Sequence, residues 1–213
     1  MVRPMGWMGR KFFKLLMIPF MGKVTGIENI PKDKSFILVA NHDSYMDHIL
    51  LGVIFFNHLG RNLHFLAKKE LFDTGLKRIF HEWLDAIPVD RQAGGKDALK
   101  LAIKSLKEGG LIVIHPEGTR SMDGKLQRAK TGFVRLALAA QVPVLPVGLV
   151  GTFEILPKWK KIPKFRKATI NIGKLMHFDE YYGKENDPSV LRLLTTKAMK
   201  EIGKLTGEGY NFD

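Results

Sequence analysis

The chain has 213 residues, 45% of them hydrophobic, enough for one substantial core and one domain. Its formal net charge of +13, from 34 Lys+Arg against 21 Asp+Glu, favours polyanionic partners: nucleic acid, anionic lipid, phosphorylated substrates or an acidic protein. With no cysteine there are no disulfides or cysteine-ligated metals, and no apolar run approaches the roughly 20 residues of a membrane-spanning helix.

In chain order, the N-terminal segment 1–21 reads as an amphipathic, membrane-associating helix. Wound at ~100° per residue, Met5, Met8, Phe12, Leu15 and Leu16 share one sector, with Arg10, Lys11 and Lys14 opposite. Trp7 and Ile18 fall on the basic side, and a helix packed on the core is the competing reading. The apolar stretch is short and no small-residue cleavage site follows, so a signal peptide is not expected. Residues 22–213 then form the expected main domain. Strands are expected at 23–27, 36–40, 64–67, 86–89, 111–114, 144–150 and 167–172. Helices are expected at 48–56, 76–84, 97–108, 131–140 and 188–205, with Gly109 and Gly110 ending the third. Strands alternate with helices throughout, so the fold class is α/β with a largely parallel central sheet flanked by helices.

Two of the apolar strands end in polar residues able to do chemistry. Phe36 to Ala40 runs into Asn41-His42-Asp43-Ser44-Tyr45-Met46-Asp47, and Leu111 to Ile114 into His115-Pro116-Glu117-Gly118-Thr119-Arg120-Ser121. Parallel strands bring such ends to one sheet edge, where α/β enzymes place their sites. On an unbroken helix, residues five apart point ~140° from each other, so His42 and Asp47 meet only if the chain turns at Asp43-Ser44 and a helix starts there. Asp47 would then hold the Nδ1 proton and leave Nε2 free as a base. The alternative is that Ser44 and Asp47 form a capping-box variant with a surface histidine alongside. In the second segment Gly118 permits a tight turn, from which Arg120 can grip a phosphate bidentately, with Ser121 and backbone N–H groups completing a cradle. The alternative is a polar turn with Arg120 in a surface ion pair. Taken together, a base and an anion binder suggest proton removal from a phosphate-bearing substrate.

The segments 41–47, 116–121 and 142–147 (Val-Pro-Val-Leu-Pro-Val) resemble the first, third and fourth motifs of the glycerolipid acyltransferases, and are most similar to the bacterial-type 1-acylglycerol-3-phosphate (lysophosphatidic acid) acyltransferases. The second motif also fits, as Lys68, Leu71 and Arg78, and the resemblance runs in order from about residue 22 to 175. There are departures: His115 stands where the family usually has Phe, Gly75 where Pro is common, and Leu71 where Ile or Val is more frequent.

The resemblance implies transfer of a fatty acyl group from an acyl-CoA or acyl carrier protein thioester to the sn-2 hydroxyl of 1-acylglycerol 3-phosphate, giving phosphatidic acid for phospholipid synthesis. His42 and Asp47 would be catalytic, and the substrate alcohol would take the place of a serine nucleophile. Lys68, Arg78, Arg120 and, more weakly, Lys130 would bind the acceptor phosphate. Glu117, Gly118, Thr119 and Ser121 would form the substrate loop, with Glu117 as a holder of the loop or of the glycerol. No metal or cofactor is expected beyond the thioester co-substrate. Other acceptors, such as glycerol 3-phosphate or a lysophospholipid, and a lipid-binding protein without turnover are the alternatives.

Lys158, Lys160, Lys161, Lys164, Arg166 and Lys167, interleaved with Trp159 and Phe165, form the densest basic patch. Docking to anionic lipid headgroups, or contact with coenzyme A phosphates or an acidic carrier protein, fits it better than nucleic acid, since no nucleic-acid module accompanies it, and a plain solvated surface loop is the competing reading. The expected location is peripheral or monotopic on the cytoplasmic face of a membrane.

Overall fold

The computed structural model describes residues 14–60, 63–68, 73, 75, 87–89 and 96–212, of which 66–68, 87–89 and 96–98 by backbone alone. Among them seven strands form one sheet: β1 (Met21–Thr25), β2 (Phe36–Ala40), β3 (His64–Lys68), β4 (Ile87–Val89), β5 (Leu111–Ile114), β6 (Val144–Val150) and β7 (Ala168–Ile172). Their spatial order is β1-β7-β6-β2-β5-β3-β4. Every pairing is parallel except β6 with β7. The α/β class expected from the alternation of elements is what is found.

The central strand β2 is buried along its whole length, which explains its uninterrupted apolar sequence. Its side chains alternate between two layers. Phe36, Leu38 and Ala40 join a cluster with Leu50, Leu51 and Phe55 of helix α1 (Met46–Leu59). Ile37 and Val39 face the opposite cluster, built from α2 (Lys96–Lys107), α3 (Gly132–Ala140) and α5 (Pro188–Thr206). A one-turn helix, α4 (Thr152–Ile155), follows β6 and was not expected from the sequence. Four residues carry too little periodicity to be read as a helix. The expected helix at 76–84 lies outside the described residues.

Most of the expected N-terminal helix also lies outside the described residues. Its end is helical over 14–17 and tightens into a 3-10 turn at Ile18–Phe20. Met17 and Phe20 are buried in the α1-side core, while Leu15, Leu16 and Ile18 are exposed. This stretch therefore presents one apolar face to the core and another to solvent.

The C-terminal helix α5 begins with Asp187, whose carboxylate accepts from the N–H groups of Ser189 and Val190, and with Pro188 where no N–H is needed. It packs on β6 at a position where only glycine fits. A Cβ on Gly148 would sit 2.6 Å from Cβ of Leu205 and 2.8 Å from its carbonyl carbon. Gly148→Val is expected to destabilise the protein by about 1–3 kcal/mol through this overpacking, read as a lower urea midpoint at an unchanged slope.

Candidate active site

Strands β2 and β5 are parallel neighbours in the register Val39↔Ile114, so the segments after them emerge side by side. The first is fastened before it turns. The side-chain amide of Asn41 donates to the carbonyl of Leu149 (2.9 Å) and accepts from its N–H (2.8 Å), extending β2's pairing to β6 by one side-chain rung.

The chain then makes the turn on which pairing of His42 with Asp47 depended, and α1 begins at Met46. The hydroxyl of Ser44 accepts from the Met46 N–H (3.0 Å) and donates to the Leu156 carbonyl (2.8 Å). Asp47, fully buried in the first turn, sends its carboxylate back over the turn. One oxygen, Oδ2, accepts from the backbone N–H groups of Asp43 and Ser44, both at 2.9 Å, and contacts His42 Nδ1 at 2.8 Å. A carboxylate at a helix N-terminus is also favoured by the helix dipole. Because Oδ2 can only accept, the His42 proton belongs on Nδ1 and the lone pair on Nε2. The ring keeps 13% of its surface exposed, so this lone pair is held by a buried anchor yet remains within reach.

The loop after β5 closes onto the same place. Ser121 N–H donates to the His42 carbonyl (2.7 Å), and Glu117 Oε1 accepts from the His42 N–H (3.3 Å). Glu117 Oε2 accepts from Gln127, so this buried side chain holds the loop against the histidine turn. Gly118, at φ +75°, makes the turn and allows the Lys130 side chain across it; a Cβ there would lie 3.1 Å from Nζ. The Lys130 side chain itself is exposed. Arg120 lays its guanidinium over the Tyr45 ring, 3.3 Å from the centroid, in place of the surface ion pair that was the alternative. Its Nη1 is buried and has no acceptor among the described residues.

Ser121, which the sequence suggested as part of a phosphate cradle, bonds within its own turn. Its buried hydroxyl donates to Asp123 or to the Lys125 carbonyl and accepts from the Lys125 N–H, so it ties the following turn together. Thr119 is exposed and accepts from Lys158 (3.2 Å), which links this loop to the basic patch. Lys68 ends β3, two strands from β2, with its backbone alone described; Arg78 lies outside the described residues.

Two further histidines border the site and were not singled out together from the sequence. His115 stacks on His42 with ring centroids 4.1 Å apart and planes at 14°, and His48 stands edge-on to both. The first α1 turn brings His48 round to a strand end, a juxtaposition that spacing along the chain does not encode. Burial first, and the neighbouring His42 second, lower the His115 pKa to about 3, so this ring is neutral.

An α/β protein with a His–Asp couple and a glycine-turned, arginine-bearing loop at the carboxyl edge of a parallel sheet is the class this architecture defines. More particularly, the chain belongs to the acyltransferase family, whose model matches residues 22–150. It is 36% identical over 156 residues to a 1-acyl-sn-glycerol-3-phosphate acyltransferase of Bacillus subtilis, a match covering 73% of each chain. It is 33% identical over 138 residues to a chloroplastic 1-acyl-sn-glycerol-3-phosphate acyltransferase of Brassica napus, covering 63% of this chain and 38% of that one. The crystal structure of a 1-acyl-sn-glycerophosphate acyltransferase from Thermotoga maritima superposes with a TM-score of 0.69 at 27% identity, covering 92% of this chain and 78% of that one.

Burial raises the Glu117 carboxyl to about 8 and, with Asp47 adding to the effect, the Asp43 carboxyl to about 7. A raised carboxyl binds its proton more tightly folded than unfolded, so its stabilising contribution is complete below its ordinary pKa and is lost as pH rises through the folded value. Stability is therefore expected to fall between about pH 4.5 and pH 8. Glu117→Gln should make that decline shallower, as measured by urea unfolding at several pH values across the window.

Proposed function

We propose that this chain transfers a fatty acyl group from an acyl-CoA or acyl carrier protein thioester to the sn-2 hydroxyl of 1-acylglycerol 3-phosphate, giving phosphatidic acid. The observation that carries this reading is the 2.8 Å contact between His42 Nδ1 and the buried Asp47 carboxylate, in a chain whose relatives bear that activity in name.

The acceptor hydroxyl gives its proton to His42 Nε2 as its oxygen bonds to the thioester carbonyl carbon. Collapse of the tetrahedral adduct breaks the C–S bond, and the departing thiolate takes the proton from the imidazolium. The base is regenerated and no acyl-enzyme is formed. Asp47 fixes the ring's tautomer and steadies its positive charge. A positioned base of this kind contributes roughly 10²–10⁴ in rate. For the acceptor phosphate, Arg120 is the primary grip, because its buried Nη1 has no acceptor among the described residues and an anion would supply one. Lys130 beside Gly118, Lys68 and Arg78 add positive charge.

The test is a panel of acceptors offered with labelled acyl-CoA and acyl carrier protein thioesters, read by product mass. Phosphatidic acid is expected from 1-acylglycerol 3-phosphate, with little product from acceptors lacking phosphate. His42→Ala should lower turnover by at least ~10² while the protein stays folded. Arg120→Ala should raise KM for the phosphorylated acceptor far more than KM for the thioester, and Lys at 120 should rescue only partly. Wild-type turnover by folded His42→Ala protein would falsify the mechanism.

Substrates of this kind reside in membranes, and the surface offers a place to dock. No helix among the described residues is long and apolar enough to cross a membrane. Leu15, Leu16 and Ile18, together with Trp159, Ile162 (81% exposed) and Phe165 (80%), project into solvent. Phe165 stacks on Phe20 at 5.7 Å, which joins the N-terminal stretch and the basic loop into one surface. Apolar side chains among lysines suit an anionic bilayer, with the rings at the headgroup boundary and the ammonium groups on phosphates. The Lys158–Thr119 hydrogen bond then ties this surface to the site loop. Replacing both Ile162 and Phe165 by Ser should markedly reduce co-sedimentation with anionic vesicles and leave thermal stability nearly unchanged. Unaltered vesicle binding by that variant would remove this loop from the docking surface.

A further inference from the structure

Three histidines meet at the site, and the proposed reaction uses one. One ring nitrogen from each of His42, His48 and His115 lies within 4.8 Å of the other two. Two of these rings are already held in the tautomer that metal ligands need. His42 Nδ1 faces the Asp47 carboxylate at 2.8 Å, and His115 Nδ1 faces the backbone carbonyls of Ala40 (3.0 Å) and Asn41 (2.8 Å). Those partners only accept, so both rings carry their proton on Nδ1 and present a bare Nε2. A carboxylate or carbonyl on the far nitrogen is the outer shell that fixes metal-bound histidines. His115 Nε2 is also buried and without a partner among the described residues. Such a lone pair, taken from water and given nothing in return, is an unmet binding capacity.

We propose that His42, His48 and His115 form a binding site for a divalent cation of the zinc class, which occupies the Nε2 lone pair of His42 and switches acyl transfer off. Zinc–nitrogen bonds of about 2.0–2.1 Å place tetrahedral ligands about 3.4 Å apart. The ring nitrogens lie within 4.8 Å of one another, and holding one ion requires side-chain rotations that open the 14° angle between the stacked His42 and His115 rings until their Nε2 lone pairs converge. His48, at the start of α1, turns on the same rigid element that carries Asp47. An all-imidazole set selects Zn²⁺, Cu²⁺ or Ni²⁺ over Mg²⁺ and Ca²⁺, which require oxygen ligands. Three ligands leave a fourth position for water or for the acceptor hydroxyl. The binding half of this proposal rests on geometry alone; the inhibitory half rests on the proposed role of His42 as the base.

The experiment uses the full chain without a histidine tag, titrated calorimetrically with Zn²⁺ and spectroscopically with Co²⁺. One zinc per chain is expected, along with the strong visible absorption of tetrahedral cobalt. Acyl transfer should fall at least about 10-fold at saturating zinc and recover on chelation, while Mg²⁺ has no such effect. His115→Phe and, separately, His48→Gln should each weaken zinc binding and shift the inhibition midpoint by about 10-fold or more, each variant compared with its own metal-free rate. Failure to bind one zinc, or binding that survives both substitutions, overturns the site. Zinc held by the cluster with transfer unimpaired overturns the inhibitory role and counts against His42 as the base.

Discussion

A single carboxylate oxygen organises the centre of this molecule. Asp47 Oδ2 gathers the N–H groups of Asp43 and Ser44 and the imidazole of His42, all within 2.9 Å. Buried without partners, that charge would cost several kcal/mol. The turn supplies three partners to Oδ2, though none of the described residues bonds to the buried Oδ1, and in doing so fixes where α1 starts and which way the histidine faces. The same contact thus serves as a helix-start device and as the orientation of a base. Removing it would leave two backbone donors unpaired and the ring free to rotate.

The rest of the architecture brings other groups to that point. Parallel pairing of β2 with β5 puts the loop 115–121 beside residue 42, and Glu117 and the Ser121 N–H clasp the histidine backbone from the far side. Asn41 prolongs the β2–β6 ladder just before the turn, so the histidine leaves the sheet from a fixed stem. The buried, protonation-prone Asp43 and Glu117 sit behind the ring, where ionisation would be costly. These hydrogen bonds hold the His42 backbone rigidly, while Thr119 and part of the His42 ring remain exposed. Rigidity of this kind keeps a base at its post without reorganisation during the reaction.

Sequence legibility followed local chemistry. The continuous apolar runs of β2 and β5 and the periodic face of α2 carried their own signatures, and the elements match within a residue or two. His42 and Asp47 could be paired in advance only conditionally, on a turn at Asp43-Ser44, because a five-residue spacing fails on a straight helix. The place of Ser121 was only partly legible. A serine in a glycine turn reads equally as a ligand to phosphate or as a tie within the turn, and its neighbours Asp123 and Lys125 decided the matter. The antiparallel β7 was not foreseen, since the direction of a strand depends on the connection that returns it to the sheet.

By itself the sequence determined what depends on neighbours in the chain: the α/β alternation, the strand ends bearing polar residues, and the helix start that lets Asp47 reach His42. Periodicity, caps and turns are enforced within a few residues, so they can be read from them. The stacking of His115 on His42, the edge-on approach of His48, the Tyr45 platform beneath Arg120 and the joining of Phe20 to Phe165 were decided only by the tertiary structure. Each of these contacts joins side chains from different elements. Their distances are set by strand order, register and layer packing, which no local pattern specifies.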